Sequence, residues 1–197
     1  TIILADGDFP SHPLALEWLR QCPYVVCCDG AANTYIRSGR MPEAIVGDGD
    51  SLLPDIKERY ASLIHSEAEQ ETNDLSKAFR FCLSQERKRI TIMGATGKRE
   101  DHTIGNVSLL ADYMEQAEVS MMTDYGIFVP IREDSMFESY IGQQISVFNM
   151  NSTALSAEGL AYPLSVFTNW WQGTLNEALA RHFIIRTEGK VLVFRVF

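Results

Sequence analysis

The feature that most narrows the fold is a change of rhythm near residue 124. Before it, short apolar runs rich in β-branched residues occupy positions 1–5, 24–28, 44–46, 63–65, 89–93 and 118–123. Between them lie segments with helical spacing. Leu14, Leu16, Trp18 and Leu19 mark a first helix, and residues 31–38 and 54–61 two more. Leu75, Ala78, Phe79, Cys82 and Leu83 mark a helix over 74–83, and Ile104, Val107, Leu110, Ala111 and Met114 one over 103–115. This alternation predicts an α/β domain with a mostly parallel open sheet and helices on its faces. After residue 124 the runs at 127–131, 135–141, 144–148, 153–160, 182–187 and 190–197 are all strand-like. Glu188-Gly189 is expected to close a hairpin, and the only helix expected is a brief one at 176–181. The chain therefore reads as an α/β domain, 1–124, followed by an all-β sandwich domain, 125–197.

A length of 197 residues suffices for a sizeable core in two such domains. The net charge of −9 and a pI near 4.9 argue against nonspecific binding to nucleic acid or an anionic membrane. The same acidity opposes any phosphate substrate, so a phosphate site would need a metal and local Lys or Arg. Cys22, Cys27, Cys28 and Cys82 form no CxxC pair, which suits a reducing cytoplasm. No run is long enough to span a membrane, and residues 1–20 lack the pattern of a secretion signal.

Ligands of open α/β sheets bind beyond the carboxyl ends of the strands. Four polar clusters sit just after expected strands or at helix starts: 29–33, 48–51, 71–77 and 94–102. In IVGDGDSL (45–52), Asp48 and Asp50 would share a face if the segment is extended. Paired carboxylates suit a hard cation such as Mg²⁺, although Gly and Asp after a strand also make an ordinary polar turn. Asp29 could be a helix cap, and Asp74 and Asp101 could be favoured at helix starts by the dipole alone. Lys77, one turn after Asp74, could face solvent or reach a phosphate. The loop 94–99 has two residues between its glycines and Arg after Lys, so it is not a Walker loop. Its small residues still admit phosphate, and Arg99 offers a planar fork for two parallel hydrogen bonds.

Taken together these motifs resemble thiamine pyrophosphokinases. DGAAN (29–33) is similar to that family's Asp-Gly-Gly-Ala-Asn, and GDGDS (47–51) to its Gly-Asp-x-Asp-Ser. QETNDLSK (70–77) matches a Gln-x-x-Thr-Asp-x-x-Lys helix start, and GATGKREDH (94–102) a Gly-Gly-x-Gly-Gly-Arg-x-Asp-His loop. GLAYPL (159–164) and GTLN (173–176) resemble C-terminal segments of the family more loosely. Asn73 stands where Thr is usual, Ala95 and Lys98 where loop glycines are, and Leu175 where Ser is frequent.

The resemblance implies an enzyme that moves a diphosphate from ATP to the thiamine hydroxyl, giving thiamine diphosphate and AMP. Asp48, Asp50, Asp74 and Asp101 would hold Mg²⁺ and, with Arg99, act in catalysis. Asp29, Asn33, Asp50, Thr72, Asn73, Lys77, Lys98 and Arg99 would bind ATP. Asp101, Tyr162, Thr174 and Asn176 would bind thiamine, with Tyr162, Trp170 or Trp171 stacking on its ring. Asp74 or Asp101 would orient or deprotonate the hydroxyl. The family also implies a homodimer, with the pocket between the α/β domain of one subunit and the β domain of the other. Two rivals remain at this stage. One is a nucleotide-sugar transferase built on Asp48-x-Asp50, and the other is a regulator that holds Mg-nucleotide without turnover.

Overall fold

The computed structural model describes residues 1–67 and 71–197, and the chain divides into two units. The first comprises residues 1–109 and 116–124, the second residues 110–115 and 125–197.

The first unit alternates β1 (Ile2–Leu4), α1 (Pro13–Gln21), β2 (Val25–Cys28), α2 (Ala31–Arg37), β3 (Ala44–Val46) and α3 (Pro54–Arg59). It continues with β4 (Ile64–His65), α4 (Asp74–Ser84), β5 (Arg89–Met93), α5 (Glu100–Tyr113) and β6 (Glu118–Met122). The strands lie in the order β6-β5-β1-β2-β3-β4, and every pair is parallel. Parallel strands are covered on both faces, which requires continuous apolar runs. Accordingly every residue of β1, β2 and β3 is buried. The chain walks outward from β1 to β4 and then returns to place β5 on the other side of β1. That reversal makes the β1/β5 boundary the switch point, where such sheets hold ligands.

Two helices differ from expectation. In α1 the buried residues are Ala15 and Leu19, whereas Leu14, Leu16 and Trp18 are 48%, 39% and 48% exposed. The inward stripe is thus Ala15 and Leu19, one turn apart, and Leu14 and Trp18 form an outward stripe of the same spacing. Helix α5 starts at Glu100, three residues early, because Glu100 and Asp101 supply the acidic first turn that the helix dipole favours. Ile104 is exposed, and Leu110 and Tyr113 are the buried positions.

The second unit contains β7 (Gly126–Ile131), β8 (Ser135–Glu138), β9 (Gln144–Asn149), β10 (Leu155–Glu158), β11 (Asn176–Glu177), β12 (His182–Thr187) and β13 (Val191–Val196). They make two antiparallel layers, β11-β9-β13-β7 and β10-β12-β8. Inward residues of both layers form one core, with Phe137, Leu155, Phe183 and Ile185 meeting Ile131, Ile145, Val147, Val191 and Val193. This is the expected sandwich. The last turn of α5 groups with it, for Lys190 donates to Ala111 O (2.7 Å) and pairs with Glu115 (2.9 Å).

Two local expectations fail here. Glu188-Gly189 closes no hairpin: β12 pairs with β8 and β10, and β13 with β7 and β9. Gly189, at φ 126°, instead carries the chain from one layer to the other, anchored by the Lys190 N–H on Asn151 Oδ1 (2.6 Å). The brief helix at 176–181 is also absent. Asn176 is held in β11 by pairing with Ile145, and the only helical turn nearby is a 3-10 turn at Trp170–Gly173.

Candidate active site

A cavity of about 520 Å³ opens where β1, β2 and β5 end. Its walls are Ala5–Gly7 after β1, Cys28–Gly30 after β2, residues 72–75 at the start of α4, part of the 95–99 loop after β5, and His102, Thr103 and Asn106 from α5. The loops after β1 and β5 are zipped at the backbone, Gly7 N donating to Gly94 O (2.6 Å) and Asp8 N to Thr96 O (2.8 Å). A Cβ on Gly7 would stand 2.4 Å from the carbonyl oxygens of both Gly94 and Thr96, so only glycine permits this approach.

Asp29 is the most constrained residue of the site. Its backbone takes φ 33°, its side chain is 4% exposed, and Oδ2 accepts the Ser51 N–H (3.0 Å). Oδ1 is buried without a hydrogen-bond partner. Burial pushes the carboxyl pKa up, the Ser51 bonds pull it back, and the charges of Asp74 and Asp48 add to the rise. A capping role is excluded, since the N-cap of α2 is Gly30. A buried polar atom left unpaired costs stability and calls for a functional explanation.

Of the two readings of the GDGDS loop, extended segment or polar turn, the structure shows the turn. Strand β3 stops at Val46, and Gly47 (φ 153°) and Gly49 (φ 76°) bend the chain. Asp48 Oδ1 accepts the Asp50 N–H (3.0 Å), so the two carboxylates sit on a turn rather than on one strand face. The loop is braced from outside. Asn33 donates through Nδ2 to Ser51 O (2.8 Å) and accepts through Oδ1 from Leu53 N (3.0 Å), while Lys57 Nζ reaches Gly49 O (2.8 Å). Asn33 therefore positions the loop with both ends of its amide.

At α4, Asn73 is the N-cap, accepting the Ser76 N–H (2.9 Å), and its Nδ2 lies 3.4 Å from Asn106 Oδ1. Asn106 in turn donates to Ala95 O (2.9 Å), tying the two loops together. Asn at 73 thus caps as Thr would and adds an amide donor that Thr lacks. Lys77 is buried, 5% exposed, with its ammonium 3.2 Å from Asp74 Oδ1. Arg99 grips Asp101 with two bonds, Nε to Oδ1 (3.0 Å) and a terminal nitrogen to Oδ2 (2.5 Å), which brings the Asp101 pKa down to about 2. Lys98 pairs with Asp6 (3.0 Å).

Of the expected residues, Asp29, Thr72, Asn73, Asp74, Lys98 and Arg99 line the cavity. Asn33, Asp48, Asp50, Lys77 and Asp101 do not, and Gln70 of the QETNDLSK motif lies outside the described residues. Among the described residues no three His, Cys, Asp or Glu side chains are arranged to hold a metal, so the four expected carboxylates are not brought to one point. Asp101 is held by Arg99, and Asp48 by its own turn. The sequence reading missed Asp6, Gly7, Thr96, His102, Thr103 and Asn106, all in the wall. The signal was present: Asp6 and Gly7 follow a strand, and positions 99, 102, 103 and 106 share one helical face.

In the second unit the two C-terminal motifs come together. Leu179 N donates to Gly159 O and Ala161 N to Glu177 O, both at 2.9 Å. Asn176 Oδ1 accepts from Tyr162 N (3.0 Å) and Glu177 N (2.9 Å), and Nδ2 donates to Tyr162 O (2.8 Å). Asn176 is thereby spent on fixing Tyr162, whose side chain is exposed. Thr174 Oγ1 donates to Trp171 O (2.7 Å), and Trp170 packs edge-on against Phe148, leaving Trp171 as the more exposed indole.

Residues 15–122 match the family model for the thiamin pyrophosphokinase catalytic domain, and residues 126–194 match its substrate-binding domain. The chain belongs to the thiamin pyrophosphokinase family. Thiamine pyrophosphokinase 1 of Oryza sativa subsp. japonica is 30% identical over 129 residues, covering 53% of this chain and 49% of that protein. Thiamine pyrophosphokinase of Bacillus subtilis (strain 168) is 34% identical over 86 residues, 42% of this chain and 40% of that protein. The chain thus spans about half the length of the rice relative and less of the Bacillus one. The crystal structure of a Bacillus subtilis thiamine pyrophosphokinase superposes with a TM-score of 0.82 at 20% identity, over 99% of this chain and 97% of that one. The Candida albicans enzyme gives 0.78 at 18%, over 100% and 88%. At such identities the likeness is one of fold.

The donor chemistry of this site suits a divalent cation, although among the described residues no three such side chains are already arranged as a ligand set. The wall carries the carboxylates of Asp6, Asp29 and Asp74, and Asp29 Oδ1 is an orphaned buried acceptor. Hard oxygen donors of this kind are what Mg²⁺ or Mn²⁺ takes.

Proposed function

We propose that this chain transfers a diphosphate group from ATP to the hydroxyl of thiamine, releasing AMP. The observation that carries the reading is the donor set of one cavity in a chain of this family: carboxylates from β1, β2 and α4 facing Lys98 and Arg99 at the switch point of the sheet. Residues 1–124 form the nucleotide-, metal- and catalysis-bearing part, and residues 125–197 the part that selects thiamine and dimerises.

The thiamine oxygen attacks the β-phosphorus, the bond from that phosphorus to the AMP oxygen breaks, and the hydroxyl proton passes to a carboxylate. A divalent cation such as Mg²⁺ would be held at the wall by Asp29 and Asp74, with Asp48, Asp50 and Asp101 drawn in from outside the cavity, and would neutralise charge on the triphosphate. Arg99 and Lys98 hold phosphate oxygens. Asn33 and Lys57 keep the GDGDS loop in place through Ser51, Leu53 and Gly49. A general base works best with a pKa near the working pH. Arg99 holds the Asp101 pKa down to about 2 only while the two are paired, so either Asp101, once Arg99 has turned to phosphate, or Asp74 would orient the hydroxyl or take its proton. Tyr162, whose backbone Asn176 fixes, offers its exposed ring to the cationic thiazolium, and Thr174 contributes to the same thiamine pocket.

The protein works as a homodimer with the thiamine pocket shared between subunits. Tyr162, Trp171, Leu175 and Leu179 are exposed apolar residues of this part that such an interface would cover. We place it in the cytoplasm: its four cysteines are free thiols, a state that a reducing compartment maintains. No helix among the described residues is long and apolar enough to cross a membrane.

The deciding experiment incubates the protein with ATP, Mg²⁺ and thiamine and separates the nucleotides. AMP appearing one-for-one with thiamine diphosphate supports the reading, whereas ADP or no product sinks it. Sedimentation of the active protein as a monomer would overturn the shared pocket.

A further inference from the structure

Lys98 stands where the family usually has glycine, and the structure shows what its ammonium does. It is 3.0 Å from Asp6 Oδ1, joining the loop after β5 to the loop after β1. Both residues also line a second, adjoining cavity of about 150 Å³ with Asp8, Phe9 and Thr34. The backbones under the pair are joined by the Gly7 N–Gly94 O and Asp8 N–Thr96 O bonds, with a close approach at Gly7 that admits no Cβ. At Gly97, which takes φ 105°, a Cβ would meet the Asp8 side chain, with Oδ2 at 2.2 Å. The side chains, by contrast, are 55% and 47% exposed, and ion pairs so exposed add little stability. The frame is rigid and the contact it carries is weak, so partners can be exchanged there without moving the loops.

We propose that Asp6 and Lys98 form an exchangeable pair that makes the site select metal-loaded over metal-free nucleotide. On binding, the Lys98 ammonium passes from Asp6 to a phosphate oxygen, and the released Asp6 carboxylate faces the cation that accompanies the phosphates. A bare triphosphate also takes Lys98, but it leaves Asp6 unpaired beside charge of its own sign, which opposes binding. The metal-loaded form brings the positive charge that replaces Lys98. Asp6 is therefore a specificity-determining residue, and Lys98 its built-in counter-charge. This inference rests on the ATP reading above.

The test is calorimetric titration of α,β-methylene ATP, which is not turned over, in EDTA and in Mg²⁺. It compares the natural chain with Asp6→Asn, Lys98→Met and the double variant. Asp6→Asn is expected to tighten metal-free binding by about fivefold, the worth of one exposed charge contact, without tightening the metal-loaded form. In the Lys98→Met background that gain shrinks to the part due to like-charge repulsion alone, roughly twofold or less, since no ion pair has then to be broken. The proposal is overturned if Asp6→Asn leaves metal-free affinity unchanged, tightens both forms alike, or gives the same gain without Lys98. If the natural chain binds neither form, the ATP reading falls and the inference falls with it. Binding of both forms with no effect of Asp6→Asn defeats the inference alone.

Discussion

Asp29→Asn is expected to make the protein more stable and less active. Asp29 is a carboxylate 4% exposed, with Oδ1 lacking a hydrogen-bond partner. Asparagine keeps an oxygen for the Ser51 N–H, removes the buried charge, and tolerates the φ of 33° that Asp29 adopts. A buried unsatisfied polar group costs about 1–3 kcal/mol, and more when charged. The amide still leaves its nitrogen short of a partner, so the net gain is about 1–2 kcal/mol. For a chain of this size that corresponds to a rise in Tm of roughly 2–8 °C.

The pH dependence follows from the direction of the shift. Because the folded-state pKa of Asp29 lies above 3.8, its contribution to stability is fully present below pH 3.8 and is lost as pH rises through the folded value. The advantage of Asp29→Asn therefore opens as pH rises from 3.8 and is small below it. Urea unfolding of both forms at acid and neutral pH measures this, and ATP- and thiamine-dependent AMP release measures the activity, expected to fall at least tenfold. A variant less stable than the natural chain at pH 7, or equally advantaged at all pH values, refutes the reasoning.

Arg99→Lys keeps the charge and loses the planar fork, so kcat/KM should fall on the order of a hundredfold. Its companion signature is an Asp101 pKa that climbs from about 2 toward 3.8 in an NMR titration, and an unmoved Asp101 would sever the two residues. Gly7→Ala places a Cβ 2.4 Å from the Gly94 and Thr96 oxygens and should cost about 1–3 kcal/mol in urea unfolding, with nucleotide binding weakened in step. Lys77→Met leaves the half-buried Asp74 without its ammonium and should cost about 1–2 kcal/mol at pH 7, and a stability unchanged by it would show that the pair holds nothing.

What could be read from the sequence follows the reach of each signal. β2 and β3 are apolar through and through, so their existence and their parallel, doubly covered setting were legible. The clusters after the strands were legible because ligands gather at strand ends. The same signal applied to Asp6, which follows β1, but DGDFPSHP is so dense in turn formers that it reads first as a turn. The sequence located α1 but not its inward face: Leu14 and Trp18 are large and apolar, and only packing reveals that Ala15 and Leu19 face inward. Glu188-Gly189 shows the limit of local rules, since a Gly-containing turn between two strands fixes the reversal but not which layer receives the second strand. The carboxylates posed a different problem. Their number was countable, but which cation answers each is a property of three-dimensional neighbours.

Those neighbours separate three lysines and arginines that looked alike in sequence. Lys77, Lys98 and Arg99 were all expected on phosphate, and each instead holds an acid: Asp74, Asp6 and Asp101 respectively. Burial decides which can let go. Lys98 and Arg99 are 55% and 66% exposed, so exchanging a carboxylate for a phosphate oxygen leaves each ammonium or guanidinium hydrated throughout. Lys77 is 5% exposed, and leaving Asp74 would strand a buried charge at a cost of several kcal/mol. Lys77 therefore stays where it is and sets the direction of Asp74, while Lys98 and Arg99 are free to follow the phosphates. Under the proposed function a chain of net charge −9 would then receive a polyanion, because each cation that turned toward it would release a carboxylate for the accompanying metal.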